Sequence, residues 1–199
     1  MEYLMQNFVL GYLKERYGLQ ETVIKPWVIH TIFKSESSID ELIGDLEKLS
    51  NPTVGLLAHP GQTDIRVTAK ADSAVEAENM MAPVLKLIRE KLGNYIYGEN
   101  DTTLEEAVAN ILAQNDATLT LIEVGTKGEI LARLKKYAPE RVSGEFIDGK
   151  ISVDTLKALV VDAKSQQNST LALGVMLISE SDKQNLTQIL EAADTEKIQ

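Results

Sequence analysis

The chain has 199 residues, 44% of them apolar, which is ample for buried cores in one or two domains. Its formal net charge is -10, with 20 Lys and Arg scattered among 30 Asp and Glu, a balance that repels phosphate backbones and argues against nucleic acid as a direct partner. There is no Cys, hence no disulfide framework, thiolate nucleophile or Cys-based metal site; neither terminus carries a signal-like run, and no apolar stretch is long enough to span a bilayer, so the composition fits a cytoplasmic protein.

In chain order, residues 2–17 place Leu4, Phe8 and Tyr12 at one-turn spacing with Met5, Val9 and Leu13 beside them, which predicts a short amphipathic helix ending at Gly18. Residues 22–33, rich in Val, Ile, Thr, Trp and Phe, read as a strand whose Pro26 calls for an edge position or a bulge. Ser38 and Glu41 have capping-box spacing before the apolar series Ile39, Leu42, Ile43, Leu46 and Leu49. Residues 54–58 and 64–69 flank His59-Pro60-Gly61-Gln62, and Ile65, Val67 and Ala69 alternate with Asp64, Arg66 and Thr68, so the pair reads as a hairpin with one wet face. Ser73 and Glu76 cap a helix running to Gly93, with a kink or break expected at Pro83, and residues 95–97 can add a last strand. The first module is therefore βαββα.

A polar, turn-rich boundary follows at Gly98-Glu99-Asn100-Asp101, after which Thr102 or Thr103 can cap a helix. The remainder alternates: strand 118–124, helix 127–137, strand 141–147, helix 152–165, strand 170–178, helix 182–193. Such alternation predicts a mainly parallel sheet covered by helices. The fold class expected is thus α+β followed by a reduced three-layer α/β domain, in segments 1–20, 21–100 and 101–199.

His30 lies in a predicted strand and His59 in a turn, with no acidic residue at ligand-like spacing around either, so no metal site and no cofactor is expected. Trp27, Tyr95 and Tyr97 could stack on a ligand, but aromatic residues in strands more often serve core or interface. No G-x-x-G loop stands between the helices of the first module, as nucleic-acid binding of the KH type would want.

The segment Leu119-Thr120-Leu121-Ile122-Glu123-Val124-Gly125-Thr126-Lys127-Gly128 reads as strand, turn and helix start, the place where α/β folds put reactive groups. It resembles the strand-to-helix turn of the C-terminal domain of the CinA family, the competence/damage-inducible proteins with nicotinamide-nucleotide deamidase activity, whose motif reads A-E-S-C-T-G-G with the serine as nucleophile. From Ile122 to Gly128 the chain keeps Glu123, Thr126 and the last glycine, and puts Val124 at the serine. The resemblance extends from about Leu10 to the Ser179 region. It is carried by Asn51-Pro52-Thr53-Val54-Gly55-Leu56, His59-Pro60-Gly61, Ile65-Arg66-Val67-Thr68-Ala69, Tyr97-Gly98-Glu99 and Thr103-Leu104-Glu105-Glu106-Ala107-Val108. It implies a KH-like domain followed by a deamidase-like domain. The family's N-terminal module, a molybdopterin-binding-like domain, has no counterpart in this sequence, and Tyr12-Leu13-Lys14-Glu15-Arg16-Tyr17-Gly18 looks like the connector that would follow it.

The resemblance also says what the family site contains: a Tyr-Ser-Asn cluster with a following Lys after the next strand, and a Thr-Gly-Ile-Ala-Gly-Pro loop after the third. The first has no counterpart, since residues 142–147 pass straight through Asp148-Gly149-Lys150 toward a helix. The second aligns on Met176-Leu177-Ile178-Ser179-Glu180-Ser181, which shares none of its residues. Covalent catalysis needs nucleophile, base and oxyanion donors within mutual reach, so loss in three segments implies an inactive domain used in binding, assembly or regulation. The rival is an active amidohydrolase on nicotinamide mononucleotide or a related amide, using Glu123, Thr126 or Lys127. Separately, Gly125, Thr126, Lys127 and Gly128 could hold a small anionic ligand or nucleotide at a helix N-terminus, the plainer alternative being a tight turn, a Thr126 cap and a solvated Lys127. As CinA proteins are typically dimeric, a homodimer is implied, with the N-terminal helix or the KH-like sheet contributing apolar surface.

Overall fold

The structure is a computed structural model that describes residues 2–17 and 22–177. The expected helix stop at Gly18, the segment Ser179-Glu180-Ser181 and the helix expected over 182–193 lie outside the described residues. The chain divides into two compact units, Met1–Thr102 and Thr103–Gln199. Both α+β and α/β character are present, one in each unit. Among the described residues, no helix is long and apolar enough to cross a membrane.

The first unit opens on α1 (Glu2–Leu4), a π-helical turn Met5–Val9 and α2 (Leu10–Tyr17). The segment is helical as its spacing predicts, yet its apolar residues stay uncovered: Leu4, Phe8 and Tyr12 are 57%, 60% and 63% exposed. There follow β1 (Val23–Ile32), α3 (Glu36–Ile43), β2 (Thr53–His59), β3 (Gln62–Ala71), α4 (Ala74–Leu92) and β4 (Ile96–Glu99). The four strands form an antiparallel sheet in the order β2-β3-β1-β4. Alternation along β1 and β3 sends Ile29, Ile65 and Val67 to one face, where they meet Ile39 and Ile43 of α3 and Met81 and Ile88 of α4.

Two local expectations are corrected here. The cap of α3 is Ser35, not Ser38: its extended backbone directs Oγ at the Ser38 N–H (3.3 Å), so the helix begins before the expected box. Pro83 does not break α4, which runs through it; Pro83 is exposed, so the carbonyl one turn back that loses its donor faces water. Pro26 does lie on an edge, because β4 pairs with β1 only from Ile29 onward. Ser73 caps α4 by accepting from the Glu76 N–H, and Pro60-Gly61 turns the β2–β3 hairpin with Gly61 at φ +76°.

The second unit comprises α5 (Leu104–Gln114), β5 (Leu119–Val124), α6 (Glu129–Tyr137), β6 (Val142–Ile147), α7 (Val153–Gln167) and β7 (Leu171–Met176). Thr103 caps α5 by accepting from the Glu106 N–H (3.2 Å). The strands form a parallel sheet in the order β6-β5-β7. Being central, β5 is buried on both faces. Leu119 and Leu121 pack with Leu112 of α5 and Leu131 and Leu134 of α6, while Ile122 and Val124 pack with Leu156 of α7, so the unit has three layers.

Candidate functional site

At the end of β5 the chain leaves the sheet between its two parallel neighbours. The Val124 carbonyl accepts from the Leu177 N–H (3.0 Å), and the Gly125 N–H reaches the Ile147 carbonyl (3.4 Å). The turn then passes three residues through the left-handed region: Gly125 at φ +79°, Lys127 at +57° and Gly128 at +77°. An α-helix cannot propagate through that region, so α6 begins at Glu129 and not at 127 as expected. Gly128 is needed for more than its dihedral, since a Cβ there would lie 2.8 Å from Cδ1 of Phe146.

Gly128 sits at the N-cap position and offers no side chain to the first N–H groups of α6. Glu123 supplies the missing acceptors: its carboxylate is 0% exposed and accepts from the backbone N–H groups of Ile130 and Leu131. The Thr126 hydroxyl donates to the same carboxylate. Thr126 was expected to cap the helix; its hydroxyl instead donates to the group that does. A buried carboxylate at a helix N-terminus is favoured by the helix dipole, and here it fills the place an external anion would take. Sequence reasoning missed this role because the capping residue lies six positions before the helix.

Val124 points the opposite way from Glu123, as neighbours on a strand must. It is 2% exposed and packs in the cluster that contains Ile122, Leu156, Ile147 and Met176. The β6–α7 connection spans only residues 148–152, with Ser152 capping α7 through the Thr155 N–H (3.1 Å). Of the residues singled out in this turn, the structure joins Glu123 to Thr126, buries Val124 away from both, and leaves Lys127 exposed.

Residues 28–98, which run from β1 to β4, match the family described as Damage-inducible protein CinA KH domain. A Putative competence-damage inducible protein of Clostridium botulinum (strain 657 / Type Ba4) is 37% identical over 153 residues, covering 76% of this chain and 36% of that protein. CinA-like proteins of Dictyoglomus thermophilum and Dictyoglomus turgidum are 38% and 39% identical over 132 residues, covering 66% of this chain and 31% of each. The chain belongs to the CinA family. It spans about a third of the length of the curated CinA relatives it matches.

Within the CinA KH-like sheet the remaining candidates take structural positions. Trp27 packs against the core and donates its Nε1–H to Glu99 Oε2 (2.6 Å), and Arg89 of α4 grips the same carboxylate from two nitrogens (2.6 and 2.8 Å). Tyr97 stacks on His30 with centroids 5.5 Å apart, and Lys34 lies over the Tyr95 ring. No acidic residue stands at ligand-like spacing along the chain from either histidine, yet β1–β3 register sets Asp64 opposite His30, and the carboxylate contacts His30 Nδ1 at 2.7 Å and His59 Nε2 at 3.4 Å. The separation of 34 positions between His30 and Asp64 hid that neighbour from any local reading. Among the described residues, no three His, Asp or Glu side chains are placed to hold a metal ion.

Proposed function

We propose that the second unit is a deamidase-like CinA domain that has given up catalysis and serves binding, assembly or regulation. The observation that carries this reading is the side chain at the nucleophile position, which is apolar, belongs to Val124, and is packed among Leu156, Ile147 and Met176. A group in that place can neither attack a carbonyl nor reach one. The glutamate beside it is occupied as the cap of α6. Purified protein should release no ammonia from nicotinamide mononucleotide above a protein-free control, and Val124→Ser alone should not create activity, because the new hydroxyl would sit in an apolar cluster with Leu156, Ile147 and Met176. The competing reading, an amidohydrolase using Glu123, Thr126 or Lys127, draws on the exposure of Lys127 on the turn. Turnover abolished by Thr126→Ala would establish it and remove ours.

A small anionic ligand or nucleotide would be left the outer side of this turn, where the exposed Lys127 stands beside Gly125, Thr126 and Gly128, since Glu123 already takes the Ile130 and Leu131 N–H groups. The uncovered apolar face of residues 2–17 is the natural contact of a homodimer. Light scattering reads this directly, and Phe8→Glu should dissociate the pair if that helix forms the interface. Nucleic acid and membranes have no part in this reading, given the acidic balance of the chain.

A further inference from the structure

We infer that His30 is held as the doubly protonated imidazolium and acts as a proton-dependent latch, fixing the connector residue Asn100 to the sheet of the first unit. Its two ring nitrogens face two oxygens that can only accept: Asp64 Oδ1 and the Asn100 carbonyl, each at 2.7 Å. A neutral ring has one N–H, so it would turn a lone pair toward the carboxylate or toward the carbonyl. Only the cation satisfies both contacts. Asn100 marks the turn out of the sheet, in a left-handed conformation at φ +54° just past the end of β4. Two further bonds grip it, its N–H to the Val28 carbonyl (2.8 Å) and its Oδ1 from the Val28 N–H (3.1 Å). Loss of the proton therefore removes one of three ties between β1 and the connector, or else the side-chain contact that His30 and Asp64 add to the β1–β3 ladder.

Among the described residues, the titratable groups facing this ring are Asp64 from β3, His59 from the end of β2 through the other oxygen of that carboxylate, and Tyr97 from β4, stacked on the ring. Burial works against the charged ring, but the hydrogen bonds to Asp64 and to the Asn100 carbonyl, with the charge of Asp64, outweigh it and raise its pKa above the usual 6.5. The sign follows: stability from the latch is fully present below the unfolded value and is lost as pH rises through the higher folded value.

The chain has two histidines, so its imidazole signals are simple to follow in a uniformly 15N-labelled sample that also reports the Asn100 amide, and His59→Asn assigns the rings. The expected result is a His30 midpoint above the ordinary histidine value of about 6.5, both ring nitrogens protonated below it, and an Asn100 amide shift that follows the same midpoint. Asp64→Asn should lower that midpoint. A wild-type midpoint at or below the ordinary value would overturn the latch, as would an Asn100 amide that ignores the titration. Both readouts come from the unaltered chain, so the test stands even if Asp64→Asn fails to fold.

Discussion

In the first unit Glu99 is partly wet, a quarter of its side chain exposed, and a guanidinium fork from Arg89 with the indole N–H of Trp27 holds it. In the second unit Glu123 is wholly dry, and its partners are a hydroxyl and the first backbone N–H groups of α6. The difference shows how surroundings choose the counter-group. Near solvent a long cationic side chain can pay for its own ordering through charge-assisted bonds, whereas in the dry layer the helix terminus already presents donors that need a partner. A buried glutamate in a strand-to-helix turn is therefore no evidence of chemistry, because folding alone supplies a reason to keep it.

If the two units are separate packing problems, a lesion in one should leave the other folded, and the largest expected effect tests that. Gly144 pairs with Leu121 inside the parallel sheet at φ +138°, and a Cβ there would lie 1.9 Å from the Leu121 carbonyl oxygen. Backbone cannot rotate away as a side chain can, so Gly144→Ala should prevent β6 from pairing with β5 and cost more than about 4 kcal/mol. The single Trp, Trp27, belongs to the first unit, so its fluorescence should keep a native unfolding transition while the circular dichroism amplitude of the second unit is lost. Loss of both signals together would mean that the units fold as one.

Next in size is Glu123→Ala. It strands the N–H groups of Ile130 and Leu131 in a dry interior and deprives the Thr126 hydroxyl of its acceptor, a loss of about 2–4 kcal/mol in chemical denaturation. Glu123→Gln keeps an oxygen and should cost less. Equal losses for the two variants would show that charge matters more than the supply of acceptors, so that Glu123 would resemble Glu99 after all.

Alternating apolar positions made the hairpin legible in the sequence, the Ser73 and Glu76 cap with Gly93 made α4 legible, and the order of strands and helices made the parallel sheet legible. Val124 was legible too, as an apolar side chain inside an apolar strand. What escaped were relations that only folding creates. The cap of α6 comes from Glu123, outside its own helix; the cross-strand pair His30 and Asp64 depends on register; the Arg89–Glu99–Trp27 cluster joins three elements. The start of α6 was placed two residues early because apolar periodicity carries no trace of the positive φ at Lys127.

The smallest effect concerns Glu99 in acid. The hydrogen bonds from Arg89 hold its carboxyl below the usual carboxylate range; burial opposes them, and the Trp27 N–H and the charge of Arg89 add to them. Its folded pKa is therefore lower than its unfolded one, so the contribution to stability is present above the unfolded value, about 4.3, and disappears as pH falls through the folded value. Glu99→Gln should remove that acid-side slope and cost about 1–2 kcal/mol at neutral pH, toward the low end because the Arg89 side chain is 44% exposed. Trp27 reads the event directly, since its Nε1–H donates to this carboxylate, and its emission should shift with the same midpoint. An unchanged slope in the variant would make Arg89 and Glu99 a solvated pair. The first unit would then hold together by its apolar core alone, and the contrast with Glu123 would reduce to burial.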